Sequence, residues 1–545
     1  MSTDILIKNG IVIDGTGKPP FKADLTIKNE RIENIGNFKD VQATKIIDAQ
    51  DLTVAPGFID VHNHLDFIFP SPRHPEILKG WIYQGVTTIV SGNCGISPAP
   101  IKRVDLKDII RFWGNLMPRE GLEFEWTTMA EYLDYLENVG QAFNVAILTG
   151  HNTLRTFVMG FQARFAKTEE IDEMKNLLRE SIQAGSMGLS IGLAYIPSIF
   201  SNTDELIQLA SVLTEFDPPP PIVPHVRGMF TKFYDKAIEE VIKVAEINKI
   251  PLQISHHAGG GLSRARKRAI KAINEAIERG VEIGHDNIPW PTRRTTVLKI
   301  FPAWLFDGGL DKFFERLQDP EIRKQAVDEI MNYVAKWPPW ENRYWLEKDF
   351  NLQIQINGFK KDRNLKLNNM KLKDIAIELN KKPIDALIDL VLDERVDLFF
   401  LSGRPDDPMA EDYMIRLFKD PNCSVGTDIV GIDFNSPCPG AYGGFTKILG
   451  NFVRERRELS LEDAVYKMTS LPAKQMQLKD RGIIEKGKFA DITIFNPKTI
   501  KALASFKDPH QLSVGVEYVI INGNVILEKR NYYANKLAGK VIRRD

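Results

Sequence analysis

Two histidines one residue apart, His62 and His64, close an apolar run that begins at Phe58. On a strand, residues two apart share a side, so both imidazoles can aim at one point beyond the strand's carboxyl end. Further apolar runs stop on chemistry in the same way. Thr87–Val90 leads through Gly92-Asn93 to Cys94 and Gly95; Pro221–Pro224 ends on His225; Pro251–Ser255 ends on His256 and His257; Cys423–Thr427 ends on Asp428. Imidazole, thiolate and carboxylate are the groups that hold a catalytic zinc, typically with three protein ligands and one position kept for water. Taken alone, His-x-His also suits the start of a polar loop, and a single buried cysteine behaves as a small hydrophobe. Recurrence at one end of several strands favours a shared metal centre.

Those strands need a frame. From about residue 55 to 484 the pattern alternates strand and helix, and the apolar runs ending at His62/His64, Cys94, Thr149, Leu193, His225, His256, Ile288 and Asp428 make eight strand ends. The expected fold is therefore α/β, a (β/α)8 TIM barrel with its metal site at the strand carboxyl ends. Residues 1–54 alternate over short segments separated by turns, as do 485–545, and neither sheet alone would bury a core. The two termini are expected to form one small β-sandwich domain, with the barrel over 55–484 inserted between its halves. A tryptophan-rich departure at about 302–353, containing Trp304, Trp337, Trp340 and Trp345, reads as a lid-like insertion whose aromatics mainly pack it onto the barrel.

The 545 residues are 43% hydrophobic and 26% charged, with a formal net charge of −1. That balance gives no electrostatic case for nucleic acid or for an anionic membrane surface. The basic run Arg264–Arg268 opens a helical segment and reads as a solvated face. No apolar stretch approaches the roughly 20 residues of a membrane helix, and the amino terminus lacks a secretory pattern. Three widely spaced cysteines argue against a disulfide framework and suit a reducing cytoplasm.

The Pro56-Gly57-Phe58-Ile59-Asp60-x-His62-x-His64 opening, the Gly92-Asn93-Cys94-Gly95 turn, the Ser255-His256-His257 run and Asp428 resemble the N-acyl-D-amino-acid deacylase (D-aminoacylase) branch of the amidohydrolase superfamily. Blocks at 149–155, 188–195 and 468–473 extend the resemblance over nearly the whole chain. It implies a hydrolase that cleaves a linear amide with zinc-activated water, one tight zinc on Cys94, His225 and His256, and a second position, weak or empty, at His62 and His64. It also implies that Asp428 shuttles the proton. His257 is the alternative to His256, of which only one should face the barrel mouth, and Asp433 lies close to Asp428. Arg227, Arg293, Arg294, His151 and Tyr195 are candidates for contact with a small acylated amine or amino-acid substrate, although His151 also reads as a satisfied structural histidine.

Two features set the chain apart. The fourth strand, Gly185–Leu193, has no lysine to carboxylate, which weighs against the alternative of a cyclic-amide hydrolase; a non-catalytic scaffold on the same barrel is the alternative of another class. Ala258 and the segment Ser436–Gly443 stand where the branch often has lysine and His-Pro-Arg. A free substrate carboxylate is therefore expected to be held poorly unless Arg293 or Arg294 replaces those cations.

Overall fold

The computed structural model describes residues 2–229, 231–257, 264–334, 336–339, 354–395, 398–403, 408–432 and 438–544. Eight short parallel strands form its centre: Phe58–Asp60 (β1), Val86–Ser91 (β2), Asn144–Ile147 with Thr149–Gly150 (β3), Leu189–Gly192 (β4), Ile222–His225 (β5), Leu252–Ile254 (β6), Ile283–Asn287 (β7) and Cys423–Val425 (β8). Each pairs with the next, as in Ile89 with Val145, Ser190 with Val223 and Ile254 with His285. The ring closes through Val61 N–H donating to Val425 O at 3.4 Å and Asp428 N–H donating to His62 O at 2.7 Å. Their residues are buried on both faces, as parallel strands wrapped by helices require. Ile59, Val90, Ala146, Leu148 and Val223 fill the interior with Met476 and Leu478, while Leu178, Leu206, Ile238 and Ala269 seat the outer helices.

Both ends of the chain enter one nine-stranded sheet. Thr53–Pro56, entering β1, pairs antiparallel with Ile492–Phe495, matching Ala55 with Thr493, so this sheet and the barrel are continuous at Pro56. Its own core holds Ile7, Val12, Leu25, Ile492 and Ile520. The last residues depart from the expected terminal domain. Val541–Ile542 pairs in parallel with Val145 and Ala146 of β3. Lys540 O accepts from Val145 N–H at 2.8 Å, and Arg544 N–H reaches Gly185 O at 3.0 Å, so the tail satisfies backbone groups where β3 and β4 part.

Between β7 and β8 the chain makes a further three-stranded antiparallel sheet, in which Phe399–Gly403 lies between Thr292–Thr296 and Gln355–Asn357. The excursion therefore begins before, and ends after, the expected 302–353. Trp304 packs here, its Nε1–H donating to Glu329 at 2.8 Å, and Trp337 meets Phe233 at 6.2 Å between ring centres; Trp340 and Trp345 lie outside the described residues. Arg266, expected on a solvated face, is buried and donates to His257 O at 2.7 Å. Among the described residues no helix is long and apolar enough to cross a membrane.

Candidate metal centre

The chain turns sharply where β2, β6 and β8 end. Cys94, His256 and Asp428 all take left-handed backbone, with φ of 52°, 33° and 49°. For residues bearing a Cβ this conformation costs about 1–3 kcal/mol each and persists only where the surroundings enforce it. Here neighbouring glycines remove the obstacles. A Cβ on Gly95 would lie 2.5 Å from Gly192 N, and one on Gly426 would lie 2.6 Å from His62 Cβ. The strain therefore swings one thiol, one imidazole and one carboxylate over the barrel mouth.

Cys94 Sγ is the hub. It lies 3.4 Å from His225 Nδ1, 3.5 Å from His256 Nε2 and 3.5 Å from His62 Nε2. Asp428 Oδ1 sits 3.6 Å from His62 Nε2 and 3.4 Å from His64 Nε2. The ligand atoms of His62, Cys94, His256 and Asp428 all lie within 4.8 Å of one another. Around zinc, a sulfur at about 2.3 Å and an imidazole nitrogen at about 2.0 Å span a tetrahedral edge of roughly 3.5 Å. The observed sulfur–nitrogen separations match that edge, and the donor set is chemically suited, so these residues fit zinc. The Cys94 sulfur is as near to His62 as to His256, so it lies within reach of both expected sets.

The electrostatics agree. Burial would raise the Cys94 thiol, but the positive His62 and His64 beside it bring its pKa below the ordinary value. Burial would lower both histidines; Asp286 and Cys94 carry His62 well above its usual range, and Asp428 with Cys94 brings His64 to about 9. The pocket thus favours a thiolate beside protonated His62 and His64, and a bound cation takes the place of those imidazole protons.

Asp286, on β7, was not singled out in the sequence. Its carboxylate is 3.3 Å from His62 Nδ1 and accepts from His256 N–H at 2.9 Å, so one buried group orients two candidate ligands. The available signal was its alternation with His285 on one strand, since side chains two apart face alike and adjacent ones do not. His285 points the other way, 3.4 Å from Asp420. Asp60 was also missed. It accepts from Thr427 N–H at 3.0 Å, Thr427 Oγ1 at 2.7 Å and Trp81 Nε1 at 2.7 Å, and it ties β1 to the turn carrying Asp428. Burial pushes its carboxyl up to about 6, against the pull of those donors.

The remaining candidates scatter. His257 turns outward to Tyr234 Oη at 2.7 Å, leaving His256 to face the mouth. Tyr195 stacks edge-on against His225 with ring centres 4.9 Å apart. His151 and Arg227 are both buried in ion pairs. His151 is buried between Glu205 at 2.8 Å and Ser198 Oγ at 2.9 Å, and Arg227 Nε pairs with buried Glu240 at 2.8 Å. His151 is thereby paired inside the fold, whereas Arg227 keeps Nη1 buried without a hydrogen-bond partner among the described residues. Arg294 is buried with Nη1 donating to Gly431 O at 3.3 Å and its guanidinium facing Phe399; burial lowers its pKa to about 10. The side chain of Arg293, together with Ala258, Asp433 and Ser436, lies outside the described residues.

Proteins of known activity resemble this chain over its whole length. The chain is 30% identical over 536 residues to an N-acyl-D-aspartate deacylase of Alcaligenes xylosoxydans xylosoxydans, covering 96% of this chain and 92% of the relative. It is 29% identical over 554 residues to a D-aminoacylase of the same organism, covering 99% and 98%. Among solved structures, the N-acyl-D-glutamate deacylase of Bordetella bronchiseptica, complexed with zinc and a phosphonate mimic of the tetrahedral intermediate, superposes with a TM-score of 0.79 at 28% identity over the full length of both chains. With residues 45–347 and 389–527 also matching the family's sequence profile, the chain belongs to the Amidohydrolase family.

Proposed function

We propose that this protein is a zinc-dependent hydrolase that cleaves the linear amide C–N bond of an N-acyl-D-amino acid. The observation that carries the reading is Cys94 Sγ lying 3.4–3.5 Å from three imidazole nitrogens while Asp428 faces them. Full-length similarity to deacylases supports it. Cys94, His225 and His256 would hold one tight zinc, with His62 and His64 serving a weaker second position that shares the sulfur. When bound, zinc supplies Lewis acidity and lowers the pKa of water.

The chain's own part is proton management and placement. Asp428 takes the proton of the attacking water at a carboxylate oxygen as the oxygen–carbon bond forms, and returns it to the departing nitrogen as the C–N bond breaks. His64, 3.4 Å from Asp428 Oδ1, aims that carboxylate, and Asp60 fixes the preceding residue. Asp286 keeps His62 and His256 in register. The barrel over about 55–484 bears the chemistry, the terminal sheet braces it, and the excursion after β7 walls the mouth. Three buried free cysteines, including Cys423 and Cys438, support a reducing, cytoplasmic setting.

The test is to load the purified protein with zinc and offer N-acyl amino acids of both hands, detecting the freed amine directly. Release from the D series is expected. Zinc-loaded protein that frees amine from neither series would overturn the reading.

A further inference from the structure

His64 opens from the metal centre onto a partly open cleft. Ile96, Phe112, Trp113, Leu116, Ile199 and Phe301 contribute apolar side chains to its wall. Lys299 also lines it, and among the described lining residues it is the one lysine or arginine. Lys299 is only 7% exposed. Its Nζ lies 4.7 Å from the Tyr195 ring centre, and that ring stands 4.9 Å from the ring of His225. The ammonium is thus one aromatic ring away from a candidate zinc ligand. Arg294 is differently placed. It lines a neighbouring hollow with Asn357 and Phe359, and its Nη1 donates to Gly431 O at 3.3 Å.

We infer that Lys299 receives the substrate's α-carboxylate, and that the cleft selects N-acyl amino acids with bulky apolar side chains over those with acidic ones. This rests on the deacylase reading above. Lys299 takes the part expected of Arg293 or Arg294, so a free carboxylate is an asset to binding here. A second carboxylate, on an aspartate or glutamate side chain, would be pressed against an apolar wall, where an unpaired charge is strongly disfavoured. Phe112, Trp113 and Phe301 instead offer a ring or branched aliphatic group the burial that drives apolar binding.

The experiment uses N-acetyl-D-phenylalanine, its carboxamide and N-acetyl-D-glutamate. Each is titrated calorimetrically into zinc-loaded Asp428→Asn protein, and kcat/KM is measured on protein with Asp428 intact. Both measurements are repeated with Lys299→Met and Lys299→Arg, at matched zinc content, and with Lys299→Gln should the methionine variant fail to fold. The acid should bind more tightly than its carboxamide, and N-acetyl-D-glutamate more weakly than N-acetyl-D-phenylalanine. Lys299→Met should shrink the acid-to-carboxamide ratio by about 10- to 100-fold, mostly through KM, and Lys299→Arg should restore part of it. An unmoved ratio in Lys299→Met, equal or tighter binding of N-acetyl-D-glutamate, or binding of neither acid nor carboxamide would overturn the assignment. Should the binding preference depend on Lys299 while no amine is freed, the deacylase reading falls and the carboxylate site stands. Should amine be freed with the ratio unmoved, the reverse holds.

Discussion

Replacing Asp286 with asparagine exchanges one carboxylate oxygen for an amide NH2, and the consequence can be followed atom by atom. Asp286 faces His62 Nδ1 at 3.3 Å and accepts from His256 N–H at 2.9 Å. Asparagine can keep its oxygen on His256 N–H, which leaves a donor opposite His62. The oxygen kept on His256 N–H also lies 3.3 Å from Nδ1, so the NH2 shifts the imidazole toward the tautomer with its proton on Nε2, the nitrogen that looks toward Cys94 at 3.5 Å and Asp428 at 3.6 Å, without enforcing it. A protonated Nε2 cannot ligate. Loss of such an outer partner costs about 10- to 100-fold in metal affinity, or about 1.4–2.8 kcal/mol. Asp286→Asn should therefore weaken the position served by His62 and spare the set of Cys94, His225 and His256. Asp286→Ala should weaken both, because it also strips the buried His256 N–H of its acceptor, a loss of about 1–3 kcal/mol. Competition between the folded protein and a chromophoric zinc chelator measures each affinity. Equal effects of the two substitutions, or none, would refute the claim that this carboxylate sets the tautomer of His62.

Asp428→Asn should retain zinc yet lower turnover by about 10²-fold or more, and wild-type turnover on a verified substrate would remove Asp428 from the proton path. Cys94→Ala should lower bound zinc, measured by metal analysis after dialysis, since the sulfur is the hub of three imidazoles; undiminished zinc would contradict that placement. His74 supplies a pH test remote from the metal: buried, with Nδ1 2.8 Å from Ser71 O and Nε2 accepting from Ala142 N–H at 3.0 Å, its pKa is lowered by burial from 6.5 to about 4. Its stabilising contribution is whole above pH 6.5 and is lost as pH falls toward 4. Urea midpoints between pH 7 and pH 5 should accordingly drop more steeply in the wild type than in His74→Gln, and equal slopes would count against it.

The sequence by itself determined the strand-end chemistry. Apolar runs of strand length, each ending on His, Cys or Asp, are local patterns, and strand periodicity converts them into side chains aimed at one end of a barrel. Adjacent residues facing opposite ways also meant that only one of His256 and His257 could face the mouth, and the structure decided for His256. Tertiary structure decided what depends on partners far away in the chain. Arg227 and His151 sit near strand ends but are claimed by Glu240 and Glu205, which lie on helices. Asp286 gained its role only because β7 places it under both His62 and His256. The tail's return to β3 and the wall around Lys299 likewise arise from segments distant in sequence. A buried charge takes whichever opposite charge or hydrogen-bond donor the packed fold brings within about 3 Å, and no spacing in the primary structure encodes that encounter.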